Sequence, residues 1–262
     1  MTNAVRSELL KIRTLNGGWG TALGLVGVTV VALFFWYLVT QGRSPEELTD
    51  NAPSLSQSIY TSGQYFGLLL TMLFGVTLVT SEYTQQTATA TFLATPKRSH
   101  VVLAKIVAGL CVAVVFYLVT SALAVIIGSA MLDTLGVPLS AGARTGAGAV
   151  AVNGIAYLVW MVFGIGLGTL IRNQIVAIVV GIVLYLGELG SLLIFSQLAD
   201  AFHRDWINRL VYYLPGGASR AMTSIESVNG TPPWWIATIV LLGYGVVATV
   251  IGALITASRD IT

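Results

Sequence analysis

The chain has 262 residues, of which 55% are hydrophobic and only 9% carry a charge. Soluble domains carry about 25% charged residues, so there are too few charges here to solvate a globular surface, and the class that remains is an integral membrane protein. A net charge of +2 argues against nucleic acid as a partner, and a single cysteine, Cys111, excludes a disulfide framework or a cysteine metal site.

The start, MTNAVRSELLKIRTLNGGWG, does not read as a cleavable signal peptide: its charged part is long and the apolar run behind it is too long. Residues 1–18 instead predict a small amphipathic helix. Val5, Leu9 and Ile12 share one face, with Arg6 and Arg13 elsewhere, a pattern suited to the membrane interface; the alternative is an extended tail. A bilayer core needs about 20 predominantly apolar residues per helix. Six stretches qualify: about 19–40, 59–80, 100–132, 146–171, 175–198 and 234–257. The third exceeds what a span needs and should tilt or protrude. Cys111 lies inside it and is expected to be a small buried hydrophobe. Only Arg172-Asn173-Gln174 separates the fourth from the fifth, which predicts a tight helical hairpin.

Between the second and third spans lies the polar stretch SEYTQQTATATFLATPKRSHVVLAK, residues 81–105. Ser81 is a plausible N-cap with Glu82 in the first turn, and the helix should end near Thr95-Pro96. This predicts a short helix over about 82–95. One face carries Tyr83, Thr87, Ala90 and Thr91, with Phe92 and Leu93 nearby, and Lys97-Arg98 follow. Held at both ends by spans, such a helix can pass a push from a soluble partner into both. The alternative is a solvated loop.

The loop over 199–233 is the longest polar-containing stretch. Trp206 to Leu214 form an amphipathic segment ending at Pro215-Gly216-Gly217, and a second short helix is expected near Ala218. The two read as a re-entrant or interfacial helix pair. Trp234 and Trp235 read as interfacial anchors of the last span. Basic residues set the orientation. With the N-terminal side inside, Arg6, Lys11, Arg13, Lys97, Arg98, Lys105, Arg172 and Arg259 fall inside and Arg43, Arg144, Arg204, Arg209 and Arg220 outside; of the acidic residues, Glu46, Glu47, Asp50, Asp133, Asp200, Asp205 and Glu226 fall outside, against Glu8, Glu82 and Asp260 inside. Both termini are then cytoplasmic.

No catalytic constellation is present. His100 and His203 are predicted on opposite sides of the membrane, and no HExxH, GxSxG, Cys/His cluster or phosphate loop occurs. The chain is therefore expected not to be an enzyme and to bind no metal or cofactor. Any uphill work would draw on a partner ATPase or an ion gradient. Glu188, near the middle of the fifth span, is the clear intramembrane charge. It either lines a substrate path or protomer interface, or is a structural glutamate held by a neighbouring helix. Glycine pairs at Gly20/Gly24, Gly142/Gly146 and Gly164/Gly168 are expected to serve packing within the chain rather than a dimer seam.

The 81–105 stretch resembles the coupling region of ABC-2 type permeases, the membrane subunits of many bacterial ATP-binding-cassette exporters. The N-terminal ELLKIRT, the six-span layout and the YYLPGGASRA stretch before the last span agree with that family. Thr84 and Gln86 stand where many members have arginine and glycine. The resemblance implies an all-α membrane protein, one transmembrane domain over 1–262, in the bacterial plasma membrane. It implies a homodimer or a pairing with a homologous permease, two separate ATPase subunits that hold the ATP and Mg, and export along the protomer interface. It assigns ATPase coupling to Glu82, Tyr83, Thr84, Gln86, Thr87, Thr91, Phe92, Thr95, Pro96, Lys97 and Arg98. Candidates for the substrate path are Glu188, Tyr185 and Phe66. Tyr212, Tyr213, Leu214 and Pro215 would roof it. The competing readings are a non-transporting anchor or sensor of an ATPase complex and an ion-coupled carrier.

Overall fold

The computed structural model describes residues 2–14, 16–85, 98–224 and 231–258. Gln86, Thr87, Thr91, Phe92, Thr95, Pro96 and Lys97 lie outside the described residues, as do Glu226 and Arg259. Among the described residues the fold is all-helical, and six helices are long and apolar enough to cross a membrane. In chain order they are Gly17–Thr40, Ala52–Thr84, Val101–Thr134, Leu139–Leu170, Gln174–Phe202 and Trp234–Ile255, here spans one to six. The N-terminal helix is Thr2–Thr14. The third helix as a whole runs Arg98–Thr134. At 1.5 Å per residue it is about 55 Å long, well beyond the roughly 30 Å hydrocarbon core, as its apolar length predicts.

Span four is the pole around which the others are arranged. In its most apolar stretch 72% of residues are buried, against 17% in spans one and five and 22% in span six. Trp160, Tyr157, Met161 and Ile165 are buried on it and pack with Leu68 and Met72 of span two. Glycine makes that approach possible. A Cβ at Gly164 would lie 2.1 Å from the Met72 carbonyl oxygen, and one at Gly168 2.8 Å from that of Val76. On another side Gly166 meets the Gly245 carbonyl of span six, where a Cβ would be 2.4 Å away. Gly142 and Gly146 sit against Ser56 and Tyr60. The Gly142/Gly146 and Gly164/Gly168 pairs thus serve packing within the chain, as expected, whereas nothing lies within 4 Å of a Cβ at Gly20 and one at Gly24 would meet only the Leu70 side chain, at an ordinary 3.5 Å.

Span two is not one straight helix. Ala52–Tyr60 and Gln64–Thr84 meet at Gly63, whose φ is +78°. Only glycine adopts that backbone freely, and a Cβ there would come within 2.8 Å of the Thr29 Cα of span one. A preceding short helix, Pro45–Asp50, starts at Ser44, whose hydroxyl accepts from the Glu47 amide. Together these pieces bury Leu48, Ala52, Leu55 and Ile59 against Leu33, Met131 and Leu132 in a second, smaller core.

Three expectations are corrected. Ser81 does not cap a new helix: the span-two helix continues through Thr84 and ends at Gln85, so Glu82 occupies a last turn and not a first one. The second helix of the 199–233 loop starts at Pro215, with Pro at its first position, and runs to Thr223; proline there loses no hydrogen bond. Gly216 and Gly217 lie inside it rather than before it. Cys111 is exposed on the flank of span three, because lipid-facing positions are as apolar as core ones.

Gly164 and Gly187 separate the two roles glycine can have in these spans. Nothing lies within 4 Å of a Cβ at Gly187. Gly164→Ala should lower the unfolding temperature in detergent, through overpacking worth about 1–3 kcal/mol. Gly187→Ala should leave it unchanged or raise it, since alanine favours a helix by up to about 1 kcal/mol. Equal effects would refute span four's close approach as the basis of the fold.

Candidate functional site

One end of the bundle holds a cluster of four charges, three of them buried. Glu82, in the last turn of span two, is 4% exposed. Its carboxylate lies 3.0 Å from the Lys105 ammonium of span three and also receives a hydrogen bond from Lys11 of the N-terminal helix. Lys105 in turn donates to Glu8 at 2.9 Å, and its side chain is 4% exposed. Two carboxylates and two ammonium groups thus cancel. A lone buried ion is strongly disfavoured, whereas a compensated network is tolerated. The N-terminal helix reaches this cluster because Glu8 falls on the same face as Val5, Leu9 and Ile12 at helical spacing. That face was expected from its apolar residues; Glu8, the most buried residue on it, was not.

The neighbouring residues extend the joint. The Arg172 guanidinium stands 5.6 Å from the centre of the Tyr83 ring. The Thr84 hydroxyl donates to Gln174 Oε1 at 3.1 Å. Asn173 caps span five by accepting from the Val176 amide. The hairpin between spans four and five, the end of span two, the start of span three and the N-terminal helix therefore meet in one place. Glu82, Tyr83 and Thr84, expected to face a partner, here contact their own chain. Arg98 opens the third helix.

A second polar site lies beside span five. Glu188 is 7% exposed, and the Arg220 guanidinium approaches it to 3.3 Å from the Pro215–Thr223 helix. That short helix is folded into the bundle, with Pro215 to Ser219, Ala221 and Met222 buried. The Trp160 indole N–H donates to the Ser219 hydroxyl at 2.9 Å, which fastens the helix to span four. Gly216 lets it settle on span five: a Cβ there would lie 2.7 Å from the Tyr185 carbonyl oxygen and 2.9 Å from Glu188 Cβ. Glu188 and Arg220 border a cavity of about 230 Å³ whose walls include Gln64, Tyr65, Tyr185 and Ser219. The Tyr185 hydroxyl donates to the Tyr65 carbonyl, and its ring packs on Trp160 with centroids 4.7 Å apart.

Of the residues expected on a substrate path, Glu188 and Tyr185 line this cavity, while Phe66 stands exposed on span two beside Tyr65. Among the expected roof residues, Pro215 is buried at the start of the short helix, Tyr212 and Leu214 are half-buried and Tyr213 is exposed. The Tyr213 carbonyl accepts from the Tyr244 hydroxyl of span six. Sequence reasoning missed Glu8, Lys11 and Lys105 as a unit with Glu82, and Arg220 as the partner of Glu188. Opposite charges at matching ends of adjacent helices were the signal for the first set. For the second there was none, because nothing local says that a loop helix folds inward. Among the described residues there is no group of His, Cys, Asp or Glu side chains able to hold a metal ion.

Six apolar spans, with buried ion pairs joining separate elements, define a multi-pass membrane protein. Residues 4–188 match the family described as ABC-2 family transporter protein. The match covers well over half of the chain, so the chain belongs to that family, and its role is that of a membrane permease. The matched region includes the four-charge cluster and ends at Glu188; the Pro215–Thr223 helix and span six lie beyond it. No individual curated protein matches the chain.

Lys105 is the charge on which the cluster turns, since it touches both carboxylates. Lys105→Met should destabilise the protein by about 3–5 kcal/mol, as expected for one partner removed from a buried network. Adding Glu82→Gln should recover part of that loss. The measurement is chemical unfolding in detergent, arranged as a double-mutant cycle. A loss below about 1 kcal/mol, typical of an exposed pair, would refute the cluster as a structural joint.

Proposed function

We propose that this chain is the permease subunit of an ATP-driven exporter of a bacterial plasma membrane. All 262 residues act as one transmembrane domain. Two protomers, identical or homologous, face one another, and two separate ATP-binding-cassette subunits, which hold the ATP and Mg, supply the energy. The charge asymmetry of the loops supports an arrangement with both termini in the cytoplasm. The chain contributes no hydrolytic step of its own.

The observation that carries this reading is the four-charge joint in a member of this family. The chain between spans two and three follows Gln85, the C-cap of one helix, and precedes Arg98, where the next helix begins. It is tethered on both sides by helices that meet at Glu82 and Lys105. A docked ATPase that displaced the intervening segment would act on spans two and three together, and on the N-terminal helix through Glu8 and Lys11. Gln86, Thr87, Thr91, Phe92, Thr95, Pro96, Lys97 and Arg98 are the residues we assign to that contact. Glu82, Tyr83 and Thr84 act behind it, as anchors that pass the motion on. Substrate leaves along the protomer interface bordered by spans one, two and five, with Glu188, Tyr185 and Phe66 toward the path. Tyr212, Tyr213, Leu214 and Pro215 lie near its outer end.

Lys97→Glu with Arg98→Glu tests the contact without touching the buried cluster. The double variant should insert normally, lose most ATPase co-purification and lose ATP-dependent transport in inverted vesicles. Unchanged co-purification and unchanged ATP turnover would overturn the coupling assignment. A wild-type complex that hydrolyses ATP but moves none of a broad panel of amphiphiles would favour a non-transporting sensor.

A further inference from the structure

Resting on the permease reading above, we propose that the Glu188 cavity binds the cationic end of an amphiphile, and that Arg220 is a resident counter-ion which such a ligand displaces. The asymmetry of the ion pair is the first ground. Glu188 is built into the wall of a long helix, with its side chain 7% exposed, whereas the Arg220 side chain is 59% exposed and belongs to a nine-residue helix. They touch through one nitrogen and one oxygen at 3.3 Å. Charge-assisted bonds run about 2.7–2.9 Å, and an arginine can offer a carboxylate two of them. The carboxylate is thus the fixed member and the guanidinium the removable one. Stripping a buried carboxylate of its partner is unfavourable, so the pair stays closed until another cation can take the place of Arg220.

Size and lining narrow the ligand. The cavity, about 230 Å³, is smaller than the roughly 300–1,000 Å³ of sites that enclose a drug-sized molecule. It has room for a head group and not for the rest of an amphiphile. Its rim is exposed and largely apolar: Leu189 is 62% exposed and Tyr65 40%, with Phe66 alongside at 53%. An apolar tail would lie there, on the flank of spans two and five. The Tyr65 and Tyr185 rings stand 5.4 Å apart in the wall, and aromatic faces attract ammonium and guanidinium groups. An anionic head group would sit against Glu188 and pull Arg220 away from it, leaving the buried carboxylate without a counter-charge. The site therefore selects cations.

The test uses the full-length chain in lipid nanodiscs without ATP. The probe is a dansylated long-chain alkylammonium, compared with its N-acetylated neutral analogue and the alkyl carboxylate of equal length, and binding is followed by anisotropy. The ammonium probe should bind saturably, about tenfold or more tighter than the neutral analogue. Glu188→Gln should abolish that preference, and Arg220→Gln should tighten ammonium binding several-fold by removing the competitor. Partitioning equal to that of empty nanodiscs would overturn the proposal. So would weaker ammonium binding in Arg220→Gln, or a preference for the carboxylate probe. If Glu188→Gln does not fold, Arg220→Gln decides alone, because a merely structural pair predicts unchanged or weaker ammonium binding for it. Saturable, Glu188-dependent binding in a complex that fails to transport would sink the exporter reading and leave this site standing. ATP-dependent transport with no such binding would do the reverse.

Discussion

Helices inside a bilayer gain little by hiding apolar side chains from one another, because the acyl chains they displace are equally apolar. What holds this bundle is close contact, and span four supplies it. Its glycines bring backbone against backbone at Met72, Val76 and Gly245, distances at which dispersion contacts are dense and any added methyl must push a helix away. Large side chains fill the adjoining space, with Trp160, Tyr157 and Met161 buried on the two turns before Gly164. The remaining architecture follows from that pole. Spans one, five and six have mostly exposed flanks, which are the surfaces left for lipid or for another protomer.

On this apolar scaffold the buried charges of the described residues occur where separate elements must be held in register. Glu8, Lys11, Glu82 and Lys105 come from three helices, and Glu188 with Arg220 from two. Apolar packing does not distinguish well between neighbouring rotations of a helix in lipid, whereas a buried carboxylate must find its cation. The two groups differ in kind. The first is enclosed on all members except Lys11, whose side chain is 30% exposed. The second has one member largely exposed. Enclosure suits a joint that keeps its partners while it moves; exposure of one partner suits an exchange.

The six spans were legible because length and hydropathy are what the bilayer itself requires, and the structure keeps all six: spans two and four begin seven residues earlier than expected, spans two and five end four residues later, and the other boundaries agree within two residues. The hairpin at Arg172 to Gln174 was legible for the same reason. Facing was not. Cys111 sits in a run as apolar as any core segment, and hydropathy carries no information about whether its neighbours are protein or lipid. The bend at Gly63 was not visible either, since one glycine among 28 bears no mark until the Thr29 backbone is found against it. Ser81 and Glu82 have the residue types of a helix start, and locally that reading is sound. What overrides it is tertiary: carrying the helix one more turn brings the Glu82 carboxylate to two ammonium groups that lie 71 and 23 positions away in the chain. Glu188 was legible as a residue needing a partner, but Arg220 was legible only as a loop cation.

Span two links the two polar sites. Glu82 stands in the last turn of its Gln64–Thr84 piece, and Gln64 and Tyr65 stand in the first turn of that piece, in the wall of the Glu188 cavity. Tyr65 and Glu82 are 17 positions apart in uninterrupted helix, about 26 Å at 1.5 Å per residue. A helix of that length is stiff, so a tilt imposed at the charged joint must reappear at the cavity wall. The bend at Gly63 lies just beyond the cavity. There the chain can absorb a change of direction without passing it on to the Ala52–Tyr60 piece, which is packed in the second core. Energetic coupling between distant sites needs a physical element that both can bias. In the mechanism proposed here that element is the straight segment from Gln64 to Thr84, gripped at one end by Lys11 and Lys105 and touching the Tyr185 hydroxyl at the other through the Tyr65 carbonyl. Motion of that segment would change the shape of the cavity around Glu188 and, because Met72 and Val76 lie against Gly164 and Gly168, would carry span four with it.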